Sequence, residues 1–275
     1  MEFMIDSANL EEIELVKELG VLGGVTTNPL IIKRGIKESR YRGLFLDLAK
    51  RILELAQDKP VFFQVVGHTV EELEEQAERV YEKLRKFGNP HIKVPFNPAL
   101  GENDDLYAGL RTIQRLKNKK IPVLATAIVT PTQAFLATLA GADYSVLMLR
   151  PYDNIVAEEL GLELKEDGFL DNNRVAEECR AKNKVLPDSF FTSGLDNLKR
   201  TNRMFKEHNL ETKLLIAGIR NVVQLSSVLE EGVNAVTLPF KVFYSIFPHE
   251  GTRRFVRDTY TGCPSMYRRF LDDKK

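Results

Sequence analysis

Short apolar runs alternate with longer amphipathic ones along the chain, and that rhythm restricts the fold more than any other feature. The apolar runs fall at residues 3–5, 21–25, 61–66, 92–94, 123–128, 145–149, 214–217 and 235–238. They are nearly continuous in Val, Leu and Ile, as suits strands buried on both faces of a parallel sheet. Between them helical spacing recurs. After the third run, Val70, Leu73, Ala77, Val80, Leu84 and Phe87 lie three or four apart and share one helix face. Asn9 with Glu12 predicts a capping box, Pro131 a helix start and Gly141 a helix end. Eight strands, each followed by helical sequence, predict a single (β/α)8 TIM barrel. An open, doubly wound sheet is the competing architecture.

The 275 residues suit one such barrel, and no Pro/Gly/Ser-rich linker divides them, so one domain over 1–275 is expected. The stretch from about 150 to 200 holds more residues than one helix needs, which predicts an insertion after strand six. Residues 173–184 are helix-compatible, and 187–194 are turn-like with Phe190 and Phe191. On a βα connection this insertion would lie near the active-site face, as surface decoration, an oligomer contact or a lid. Residues 252–270 read as an amphipathic, basic C-terminal helix.

Overall charge gives no sign of a nucleic-acid partner. Lys+Arg and Asp+Glu are equal at 39 each, without the basic excess expected of a nucleic-acid binder. No apolar run approaches the roughly 18 residues of a membrane span. The first six residues read as a strand, not as a signal peptide. Cys179 and Cys263 lack CxxC spacing and read as free thiols of a cytoplasmic protein, with a disulfide as the minor reading.

Strand four, His91-Ile92-Lys93-Val94-Pro95, carries a lysine in apolar company. Lysine is rarely buried without a partner. An ammonium poorly solvated in a barrel mouth loses its proton readily, and the free amine is the nucleophile that attack on a ketone requires. A structural lysine paired with a carboxylate, or one snorkelling at the rim, is the other reading. Asp6, Thr26, Asn28, Gln64 and Thr126 are further polar residues in or beside apolar strands. A barrel would bring them to one mouth, where βα loops build active sites.

The segments Val25-Thr26-Thr27-Asn28-Pro29, Phe63-Gln64-Val65, Ile92-Lys93-Val94-Pro95 and Ala125-Thr126-Ala127 resemble the transaldolase family. The likeness is strongest to its short-chain branch, which includes fructose-6-phosphate aldolase. It covers about residues 1–149 and 213–248, the latter through Ile216-Ala217-Gly218-Ile219-Arg220-Asn221 and Leu238-Pro239. The resemblance implies a metal-independent class I enzyme without a cofactor, acting in carbohydrate metabolism such as the pentose phosphate pathway. It would transfer or release a three-carbon dihydroxyacetone unit from a ketose phosphate such as fructose 6-phosphate. Lys93 matches the Schiff-base lysine and Asp6 the proton-relaying aspartate. Asn28, with Thr26 beside it, matches a residue that bonds donor hydroxyls. Gln64 and Thr126 match groups that hold the catalytic water, and Arg220 an arginine that grips phosphate. Rings of subunits, a homo-oligomer, are implied as well.

The sequence departs from the family at the phosphate end. Gly218 stands at a phosphate-binding serine, Met148 at an aromatic residue, and Leu30 at a small polar one. Arg150 falls one place earlier than the family's arginine, yet remains a candidate substrate-binding residue, and Tyr152 is a shifted candidate phenol. These departures motivate a second reading, a barrel that binds a phosphorylated metabolite without turnover. A metal-dependent aldolase is disfavoured because His68, His91, His208 and His249 show no paired ligand spacing. Gly20, Gly23 and Gly24 do not form the GxGxxG of a nicotinamide enzyme.

Overall fold

The structure, a computed structural model, describes residues 1–187 and 192–272. Eight parallel strands close into a barrel in chain order: β1 (Glu2–Asp6), β2 (Gly24–Thr26), β3 (Pro60–Gln64), β4 (Asn89–Pro95), β5 (Val123–Ile128), β6 (Tyr144–Met148), β7 (Lys213–Ala217) and β8 (Ala235–Leu238). β8 pairs back onto β1, so the open-sheet alternative does not hold. The helices are α1 (Leu10–Glu18), α2 (Pro29–Glu38), α3 (Phe45–Ala56), α4 (Val70–Leu84), α5 (Ala108–Asn118), α6 (Pro131–Leu139), α7 (Leu149–Leu160), α8 (Asn172–Ala181), α9 (Gly194–Glu207), α10 (Val222–Glu230), α11 (Phe240–Tyr244), α12 (Glu250–Thr261) and α13 (Ser265–Asp272).

Local chemistry sets most boundaries. Thr69 and Glu72 close a capping box on α4, as do Thr130 and Gln133 on α6, where Pro131 takes the first turn. Gly141, with φ of 99°, follows the end of α6, a backbone that side chains rarely adopt. Two expectations shift. Asn9 caps α1 by accepting from the Glu11 N–H, but the Glu12 carboxylate is taken by the Ser7 hydroxyl, so that box is not closed. The second strand starts at Gly24, because Val21 is still tied to the α1 terminus through the Val16 carbonyl.

The sixth βα connection contains α7, α8 and α9. α9 packs beside α6 and α10 as the barrel's own helix, so α7 and α8 are the added part. They are held by a satellite core of Tyr152, Val156, Leu160, Leu170 and Val175. Tyr152 is buried in that cluster. Phe190 and Phe191 lie outside the described residues. The C-terminal region forms two helices, α12 and α13, with no buried residue. Among the described residues no helix is long and apolar enough to cross a membrane.

Candidate active site at the C-terminal mouth

Strand alternation fixes what faces the barrel axis. Met4, Phe62, Leu124, Val146, Leu215 and Ala235 form an apolar plug. Two residues further along the same strands stand Asp6, Gln64, Thr126, Met148, Ala217 and Thr237. Lys93 is the register partner of Gln64, and Thr26 that of Asp6. Apolar strands therefore build the floor, and the next inward layer is a largely polar ring at the C-terminal mouth.

Lys93 is buried, with 6% of its surface exposed. Burial pulls its pKa below the ordinary lysine value, while the Asp6 charge pulls it back up. Its Nζ meets the Thr27 carbonyl at 3.5 Å, a long contact that leaves the amine weakly held. Asp6 is shifted the opposite way. Burial raises its pKa, against the Lys93 charge, the Thr26 hydrogen bond and Arg34. The pair thus favours less charge on both partners than either would carry in water.

Thr26 Oγ1 donates to Asp6 Oδ1 at 2.7 Å and lies 2.6 Å from Thr237 Oγ1. A hydroxyl has one proton, so Thr237 is the donor to Thr26, and the chain runs Thr237 to Thr26 to Asp6. Asn28 is the N-cap of α2, its Oδ1 accepting from the Ile31 N–H at 2.9 Å. The capping bond uses the oxygen and leaves the Asn28 amide nitrogen as a donor. Thr126 is buried at a β-bulge, where the β5–β6 register shifts between Ala125 and Ile128 and Ala127 adopts φ of 59°. Bulges of this kind re-aim side chains beside active sites. Gln64 is half-buried in the same ring.

The two arginines diverge. Arg220 is half-buried, and its Nε is buried without a hydrogen-bond partner. Burial, then the nearby Arg150 charge, lowers its pKa, with Glu166 opposing. Its backbone leads into α10, capped by Asn221. Arg150, expected to bind substrate, is committed elsewhere. Its guanidinium donates to Asn154 Oδ1 at 2.6 Å and to the carbonyls of Leu164, Lys165, Glu166 and Gly168 at 2.8–3.3 Å. Gly218 has φ of 80°, and a Cβ there would lie 2.8 Å from the Arg150 backbone nitrogen. Any side chain is strained on that backbone, which favours the glycine.

Thr237 and Arg34 join the site from outside the motifs named above. Thr237 was legible, being an isolated inward polar residue of an apolar strand, as Thr126 is. Arg34, which donates to the Asp6 carbonyl at 3.3 Å, is one of many charges on exposed helix surface and carried no signal. A cleft of about 1020 Å³ opens at the opposite, N-terminal face beside Glu2, His91, Tyr144 and Lys213. Glu2 and Lys213 pair there, and the cleft lies on the far side of the apolar plug from Lys93, at the face of a barrel associated with stability. Among the described residues, no three His, Cys, Asp or Glu side chains converge as a metal site.

A weakly held, buried amine beside a carboxylate at the C-terminal mouth defines a barrel equipped for Schiff-base chemistry. Compared with known proteins, residues 3–270 match the family described as Transaldolase/Fructose-6-phosphate aldolase, and the chain belongs to that family. It is 32% identical over 260 residues to a probable fructose-6-phosphate aldolase of Streptococcus pneumoniae, covering 94% of each chain. It is 28% identical over 262 residues to a probable transaldolase of Aquifex aeolicus, covering 94% of this chain and 96% of the relative. It is also 30% identical over 269 residues to a probable transaldolase 2 of Bacillus cereus, covering 94% and 97%.

Proposed function

We propose that this chain, one domain throughout, is a class I aldol-transfer enzyme. It takes a dihydroxyacetone unit from a ketose phosphate such as fructose 6-phosphate and passes it to an aldehyde or releases it. The observation that carries this reading is the buried, weakly held Lys93 amine beside Asp6. Lys93 adds to the ketose carbonyl, and loss of water leaves an iminium ion. That cation accepts the electron pair of the C3–C4 bond as it breaks, while Asp6, directly or through a water, takes the C4 hydroxyl proton. An aldehyde departs. The enamine left on Lys93 then adds to a second aldehyde, or is protonated, and in either case hydrolysis of the resulting iminium frees the product and the amine. Gln64 and Thr126 hold the water, Thr26 and Asn28 fix Asp6 and the donor hydroxyls, and Arg220 takes the phosphate.

Two further parts of the reading concern assembly and location. Phe255, Tyr260, Met266 and Phe270 are exposed on α12 and α13, and a second copy of the chain is the proposed cover. The free thiols Cys179 and Cys263 suit the reducing cytosol.

Borohydride reduction with dihydroxyacetone or fructose 6-phosphate tests the central step. The expected product is a stable mass addition at Lys93, absent from Lys93→Met. Folded protein that gains no adduct from either ketose would favour a binding barrel instead, the reading motivated by Gly218 and the diverted Arg150.

A further inference from the structure

The added segment between α7 and α8 brings an acidic side chain to the phosphate end of the mouth. Arg150 holds that segment by the carbonyls of residues 164, 165, 166 and 168. Asp153 holds it again by accepting from the Leu170 N–H, and Leu170 belongs to the satellite core, with Leu162 and Leu164 packed against it. Its tip lies against the loop that carries Arg220. Asn221 Nδ2 donates to the Asp167 carbonyl at 2.9 Å. Next to that contact, Glu166 Oε1 lies 3.2 Å from Lys241 Nζ, on α11 just after β8. Glu166 also acts on the Arg220 charge. The loops after the seventh and eighth strands are where barrels commonly bind phosphate.

Glu166 and Lys241 are 79% and 76% exposed, so their pairing adds little stability and opens at small cost. A carboxylate tethered there by the backbone of its segment has a different effect. It supplies negative charge where a phosphoryl group would need Arg220 and Lys241. We propose that Glu166 is a specificity-determining residue, a built-in carboxylate that competes with substrate phosphate for Arg220 and Lys241. The site then binds phosphorylated ketoses more weakly than the same barrel without that charge, and phosphate must take Lys241 from Glu166 in order to dock. This inference rests on the proposed phosphate role of Arg220.

Titration with inorganic phosphate at fixed ionic strength tests it without requiring turnover. Glu166→Gln is expected to tighten phosphate roughly 3- to 10-fold, the scale of one partly screened charge at a surface site. Glu163→Gln, on the same exposed segment, is the control for general electrostatics and is expected to leave phosphate affinity unchanged. Lys241→Met in the Glu166→Gln background should remove most of the gain. Equal affinity in wild type and Glu166→Gln, an equal gain in Glu163→Gln, or no measurable phosphate binding by either wild type or Glu166→Gln would overturn the proposal. Borohydride trapping of dihydroxyacetone on the same samples reads the Lys93 chemistry separately, so loss of one reading is not mistaken for loss of the other.

Discussion

Thr26 Oγ1 donates to Asp6 Oδ1 at 2.7 Å, between register partners on adjacent strands, and receives a hydrogen bond from Thr237 across β1. The proposed base is thus held by a hydroxyl chain from the two strands that flank its own. Hydrogen bonds to an ionised carboxylate favour the charged form, which a group accepting a proton must have.

Thr26→Val keeps the branched shape and removes the donor. A hydrogen bond to a charged group contributes about 1.5–3 kcal/mol, so kcat is expected to fall roughly 10- to 100-fold. The borohydride adduct at Lys93 should persist, because the amine is untouched, and Thr26→Ser should restore most of the loss. Full kcat in Thr26→Val would separate the hydroxyl chain from the reaction.

Asp6→Asn tests the electrostatic coupling to Lys93 through its pH profile. Burial depresses the Lys93 pKa and the Asp6 charge raises it. Removing that charge leaves burial unopposed, so Lys93 sheds its proton at lower pH. The rising limb of adduct formation with dihydroxyacetone is therefore expected to move toward acid, while turnover drops for want of the base. A limb that stays put or moves toward alkali would mean that Asp6 does not act on this amine.

The barrel was readable because eight apolar runs of similar length leave few ways to bury both faces of a sheet. The ring at the mouth was readable for a related reason, since a polar residue in the inward phase of such a strand stands out, as Lys93, Gln64 and Thr126 do. What stayed hidden depends on long-range packing. Nothing local to Arg150 shows that its guanidinium turns to the carbonyls of the added segment. Nothing in the local pattern around Glu166 places it near α10 and α11, because its segment is positioned by side chains of α7 and by a satellite core whose packing the residue types alone do not encode. β2 starts later than its apolar run because Val21 bonds back to the end of α1, a contact that apolar character alone does not encode.

Asp153 couples the added segment to pH. It is fully buried, and its two oxygens accept from the Gly194 N–H at 2.7 Å and the Leu170 N–H at 3.2 Å, joining α7 to the segment and to the start of α9. Burial pushes its pKa up to about 6, against those two hydrogen bonds and the Arg150 charge. A carboxyl whose folded pKa lies above its ordinary 3.8 binds a proton more tightly when folded. Its contribution to stability is therefore largest in acid, declines as pH rises from about 4 to about 6, and is constant above that. The decline is on the order of 1–3 kcal/mol, at about 1.4 kcal/mol per pKa unit. Asp153→Asn does not titrate and leaves one N–H facing an amide donor, so it is less stable than wild type in acid. The deficit should shrink as pH rises through the window, because wild type loses stability there and the variant does not. Melting temperatures of both proteins at pH 4, 5, 6 and 7 measure this directly, and a gap that stays constant across that range would remove Asp153 as the group that titrates.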